Sequence, residues 1–218
     1  MRFTFTWREL GSLLVSTLVL GFIFSMNNFN YFLPITIIAG TAFIIHELSH
    51  KLVAESFDCK AEYVLWPQGV LFSLIISLIT RGNFIFAALG FVSISTYYQT
   101  RLGYKFVNLS LEEMGKISLA GPASNVLMGV ICALLAPYYP ILIYGVTLNF
   151  ILALFNLVPF PPLDGSKIIM WSRMVWISMI ISTSVIFGLT LLINPLIAGV
   201  IGLIVMVAML FLTYFKDF

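Results

Sequence analysis

The sequence predicts an all-α membrane protein: a polytopic bundle of about six transmembrane helices, with a small membrane-associated β element inserted between helices two and three. Three observations predict it. Of 218 residues, 61% are apolar and only 9% charged, against about 25% charged in soluble domains, and the mean hydropathy is +1.06. Six apolar runs are each about as long as a hydrocarbon core of about 30 Å requires. The basic residues fall on one side of the layout those runs define. Composition excludes a soluble enzyme, a disordered chain, a fibrous repeat and a disulfide-stapled module. A net charge of +2 from eleven scattered basic residues offers no face for nucleic acid. The cysteines, Cys59 and Cys132, have no CxxC spacing and read as unpaired thiols.

The runs are Leu10 to Met26, Tyr31 to Ala54, Ile117 to Ala136, Ile141 to Val158, Met174 to Ile193 and Leu196 to Tyr214. Residues 27–30 (NNFN), 137–140 (PYYP) and 194–195 (NP) make short, turn-rich connections. The first run follows a polar stretch and lacks a small-residue cleavage site, so it reads as a retained helix rather than a signal peptide. Arg2 and Arg8 precede helix one. Lys51, Lys60, Arg81, Arg101, Lys105 and Lys116 come between two and three, Lys167 and Arg173 between four and five, and Lys216 after six. All fall on one face, whereas the three hairpins opposite carry no charge. Lys and Arg in short loops mark the cytoplasmic side, so a multi-pass cell-membrane protein with both termini in the cytoplasm is expected.

Residues 60–110 fit a helical reading least well. Gly69 to Thr80 is apolar but too short to cross, which suits a re-entrant or interfacial segment. Phe84 to Tyr98 is rich in aromatic and β-branched residues, as strands are. A sheet edge cannot face lipid with its amides unpaired, so this β element must pack on protein or reach headgroup water.

Helix two ends in His46-Glu47-Leu48-Ser49-His50, which holds both histidines of the chain. Imidazoles at i and i+4 share a helical face and can grip one Zn²⁺, with Glu47 placed to hold a water. Ionisable groups in an apolar helix are costly and mark function by default. Fifteen residues precede His46 in this run, roughly 22 Å of helix. The metal would therefore lie within the bilayer, nearer the cytoplasmic face. A catalytic zinc takes three protein ligands and leaves one position open. With histidine exhausted, the third comes from a carboxylate or cysteine. Asp164 is the strongest candidate, because Pro159, Pro161 and Pro162 break the chain just before it on the same side of the layout.

Three ordered motifs, HELSH at 46–50, Gly121-Pro122-Ala-Ser-Asn125, and Asn156-x-x-Pro159-x-Pro161-Pro162-x-Asp164-Gly165, resemble those of the site-2 protease family. These intramembrane zinc metalloproteases, of peptidase family M50, cut membrane-anchored proteins within or beside their transmembrane segments. The resemblance spans a catalytic core of about 31–166 in one membrane protease domain, 1–218, leaving 10–26 and 174–214 as accessory helices and 60–110 as an insertion. It implies one Zn²⁺ per chain held by His46, His50 and Asp164, Glu47 as the catalytic glutamate, and Asn156 in substrate positioning or oxyanion stabilisation. It also implies a transmembrane protein substrate and an active site opening to the cytoplasm. The insertion, with its Trp66-Pro67-x-Gly69 turn, resembles a mainly prokaryotic and archaeal branch, and no PDZ-like domain is present. Read from the residues alone, Asn125 is helix–helix glue rather than a catalytic group, and Asn156 could equally cap the carbonyls freed above Pro159. Two other functions are compatible with helix-embedded metal ligands: a metal-ion transporter and a non-catalytic zinc-binding scaffold. Neither gives Glu47 a task, and the polar path a transporter needs is missing from helices five and six.

Overall fold

A computed structural model describes residues 5–26, 28–83, 86–100 and 103–214. Its elements run α1 (Trp7–Ser25), α2 (Phe32–Ser56), β1 (Lys60–Leu65), α3 (Pro67–Ile79), β2 (Gly90–Ser95), β3 (Tyr97–Thr100), β4 (Gly103–Phe106), α4 (Leu111–Leu135), α5 (Leu142–Asn156), α6 (Asp164–Trp171), α7 (Arg173–Leu192) and α8 (Pro195–Tyr214). Each of the six apolar runs is a helix. On length and composition, α1, Phe29–Ser56, α4 and α7 can cross a membrane. At 15 residues, α5 extends only about 22 Å, less than the hydrocarbon thickness. The described apolar stretch of α8, Pro195–Ala208, is also short.

Local chemistry sets the helix starts. Thr6 Oγ1 accepts the Glu9 N–H at the head of α1. α4 opens on a capping box, with Ser110 Oγ accepting from Glu113 N–H while Glu113 Oε2 accepts from Ser110 N–H. α4 is the central element and packs against α2, α5, α6 and α8. Small residues permit that closeness: a Cβ at Gly129 would meet Phe150 of α5 at 2.9 Å, and one at Gly115 would meet Trp171 of α6 at 2.5 Å.

The insertion between α2 and α4 holds the strands. β1 and β2 are antiparallel, with Lys60 opposite Ser95 and Leu65 opposite Gly90, and β3 and β4 form a separate antiparallel pair. The strand expectation for Phe84 to Tyr98 is met from Gly90 onward, while Phe84 and Ile85 lie outside the described residues. The apolar segment at 69–80 is the helix α3. Its small residues Gly69, Ser73 and Ser77 are buried, and Leu71, Phe72, Ile75, Leu78 and Ile79 face outward. α1 is tied to α2 and β1 through Glu9, whose carboxylate takes the Lys51 ammonium at 2.6 and 2.8 Å and the Tyr63 N–H at 3.1 Å.

Candidate metal centre

α2, α4 and α6 bring the metal ligands expected from sequence together. His46 and His50 lie one turn apart on α2, both buried, and their Nε2 atoms face each other at 3.0 Å. Asp164 is the first residue of α6, delivered by the turn after α5 in which Pro161–Pro162 is cis. Sequence reading leaves this region as a proline-broken loop. In the structure the chain resumes as a short helix whose N-terminal dipole favours a carboxylate. Gly165 permits the approach, since a Cβ there would lie 2.2 Å from the Leu157 carbonyl. The Asp164 Oδ2 stands 3.0 Å from His50 Nε2 and 3.4 Å from His46 Nε2.

Hydrogen bonding fixes the tautomers. The His50 Nδ1 lies 2.7 Å from the Ile117 carbonyl, which can only accept, so Nδ1 carries the proton. The His46 Nδ1 lies 2.5 Å from Asn125 Oδ1. Asn125 uses its amide to donate to the Ala42 carbonyl at 3.1 Å and Asn149 Oδ1 at 2.9 Å, so its oxygen faces the ring and His46 Nδ1 is the donor. Nδ1 is thus the donor on each ring, and in its neutral form each ring turns an Nε2 lone pair to the site. In that form three acceptors, two imidazole nitrogens and one carboxylate oxygen, converge.

Such an arrangement is repulsive unless a cation lies among the donors. Tetrahedral zinc with ligands at 2.0–2.1 Å places its donors about 3.3 Å apart, close to the 3.0–3.4 Å seen here. Room is reserved as well: a Cβ on Gly121 of α4 would sit 2.2 Å from His50 Nε2 and 2.6 Å from His46 Nε2. The donor set fits Zn²⁺, and histidines whose far nitrogens donate to a carbonyl and an amide are oriented as metal ligands usually are.

Glu47, next to His46 and also buried, lines the same cleft as the three donors. Residues 87–92, which include the start of β2, line it too, with Asn156, Pro162 and Lys167. Asn156 is on the cleft, with its amide donating to the Leu152 carbonyl of its own helix at 3.0 Å, a bond to the i−4 carbonyl rather than to the one freed above Pro159, which leaves a second amide hydrogen. Sequence reasoning missed Asn149, which holds Asn125 in place, and Lys167. A signal for Asn149 exists: an amide inside an apolar helix is costly and calls for a partner.

The architecture is mostly helical, with several apolar helices that suggest a membrane protein, and it holds a buried two-histidine, one-carboxylate centre that suits zinc. A protein of Methanocaldococcus jannaschii named "Putative zinc metalloprotease" is 36% identical over 183 residues, covering 80% of this chain and 90% of that protein. The chain belongs to the same family as that protein. No family model matches the chain, and no solved structure matches it. Zinc is the metal on which the kinship and the donor set agree.

Proposed function

We propose that the chain is an intramembrane zinc metalloendopeptidase of the site-2 protease type, cutting membrane-anchored proteins within or beside their transmembrane segments. The observation that carries this reading is the convergence of His46 Nε2, His50 Nε2 and Asp164 Oδ2 beside Glu47, in the second half of an apolar helix. Three protein donors leave a fourth position for water or substrate, the pattern of catalytic rather than structural zinc. Zinc bound there supplies Lewis-acid polarisation of a carbonyl and a water acidified towards neutrality.

His46, His50 and Asp164 hold the metal. Glu47 takes the proton of the attacking water and returns it to the leaving amine. Asn156 turns its remaining amide hydrogen to the oxygen on which charge develops. In this reading the six helices all cross or enter the bilayer, with both termini and the mouth of the cleft on the cytoplasmic side.

A substrate helix must unwind, because its carbonyls are tied up in intrahelical bonds. The free edge of β2 supports capture of the opened segment as an added strand. Trp66 N–H donates to the Leu89 carbonyl at 2.8 Å. In the register of this pair that makes Phe91 and Ser93 the residues bonded to β1 and turns the amides of Gly90, Val92 and Ile94 outward. Among the described residues, β2 has no other strand beside it.

The test is purified protein reconstituted with a panel of single-span substrates, with bound zinc measured in parallel. Wild type is expected to cleave, and Glu47→Gln to keep its zinc and lose about 10²–10⁴ in rate. Metal transport or scaffolding would survive that substitution, and a Glu47→Gln protein that still cleaves would remove Glu47 from the chemistry.

A further inference from the structure

Asp164 presents its two oxygens to different partners. Oδ2 faces both imidazoles, at 3.0 and 3.4 Å, whereas Oδ1 is turned to Lys167 of the same helix, three residues on, with Nζ 3.9 Å away. The carboxylate is largely buried, at 13% exposure, while the lysine, which also lines the cleft, is 39% exposed. Among the described residues that line the cleft, Lys167 is the one permanent cation. The position of Oδ1 matters chemically. A carboxylate can bind a metal through one oxygen or two, and two imidazoles plus both oxygens would make four donors. A water bound beside them would make five, so a four-coordinate centre with one place left for water depends on keeping Oδ1 off the metal.

We infer that Lys167 is a positioning residue that holds Asp164 Oδ1 off the metal, so that Asp164 coordinates through Oδ2 alone and the fourth position stays open. The inference rests on the protease reading above for its functional meaning, but its direct readout is coordination rather than cleavage. The lysine acts through Asp164, and nothing requires it to touch the substrate. Its charge, not its size, carries the effect: arginine keeps a cation on the same helical face, whereas methionine keeps the length and removes the charge.

The test uses the full-length protein loaded with Co²⁺ in place of zinc, because the visible absorption of cobalt weakens when four-coordinate geometry becomes five-coordinate. Lys167→Met is expected to bind one metal per chain with a weakened cobalt band and to lose about 10–100-fold in kcat, the usual cost of removing a ligand's supporting partner. Lys167→Arg is expected to restore band and rate together. A cobalt spectrum in Lys167→Met identical to wild type overturns the inference, whatever its rate. If wild type cleaves no substrate yet its cobalt band weakens on Lys167→Met, the positioning role stands and the protease reading fails. If wild type takes up no cobalt, both fail. Should Lys167→Met not fold, Lys167→Gln carries the same expectations.

Discussion

Asn125 of α4 accepts the Nδ1–H of His46 across the α2–α4 interface at 2.5 Å, and both hydrogens of its amide are anchored, one on Ala42 and the other on Asn149. Asn149 is fixed in turn by donating to the Gly145 carbonyl of its own helix. One imidazole thus depends on a relay across three helices. Asn125→Ala frees the His46 ring to rotate and leaves its Nδ1–H without an acceptor. Zinc affinity is expected to fall about 10–100-fold, measured by competition with a chelator, while the helical circular dichroism stays unchanged. Undiminished affinity would mean that packing alone orients the ring.

Gly121 is required by the space it leaves. In a helix interior, Gly→Ala ordinarily stabilises by about 1 kcal/mol. At 121 the new methyl would occupy the volume in which the two Nε2 atoms face each other, at 2.2 and 2.6 Å. Gly121→Ala is therefore expected to fold with its helix content intact and to purify with little or no zinc. Metal analysis of the purified variant decides it, and a full complement of zinc would show that the rings can retreat without losing the ion.

The six helices were legible because apolar runs bounded by turn residues report their own length, and the ligand pair because i and i+4 on a helix can hardly fail to share a face. Asp164 was legible only as a candidate: the prolines say where a helix stops, not where the chain goes next. What stayed hidden is tertiary. Lys51 counts in the sequence as one more basic residue of the charged side, and Glu9 as part of a polar N-terminal stretch. In the structure they form a buried ion pair, each side chain 2% exposed. Nothing in periodicity pairs residues 42 positions apart. Asn125 was legible as a group in need of a partner, but which partner depends on how α4 lies against α2.

The Glu9–Lys51 pair gives a stability prediction. Lys51 follows directly on His50, and Glu9 also receives the β1 amide of Tyr63, so the pair joins α1, α2 and the sheet beside the metal centre. Removing one partner leaves a buried charge uncompensated, at a cost of about 3–5 kcal/mol. Lys51→Met is expected to lower the thermal midpoint in detergent markedly. Adding Glu9→Gln should recover much of the loss, since the neutral amide can still accept the Tyr63 N–H. Equal midpoints for Lys51→Met and wild type would show that water reaches Glu9 and screens it.

The outward amides of β2 give the sharpest test of how an extended substrate is held. Proline at position 92 deletes the N–H that the β1–β2 register turns away from β1, whereas proline at 93 deletes one committed to β1. Ser93→Pro should therefore disturb the sheet, and Val92→Pro should leave it standing with an incomplete edge. Val92 is also packed against the cluster around Cys59 and Ile117, so Val92→Ala is the matched control, trimming the side chain while keeping the amide. If the substrate adds as a strand, Val92→Pro keeps its zinc and loses about tenfold in cleavage relative to Val92→Ala, the worth of one hydrogen bond at the upper end of its range. Cleavage by Val92→Pro at the Val92→Ala rate would mean that the substrate is held by side-chain contacts in the cleft rather than along the strand.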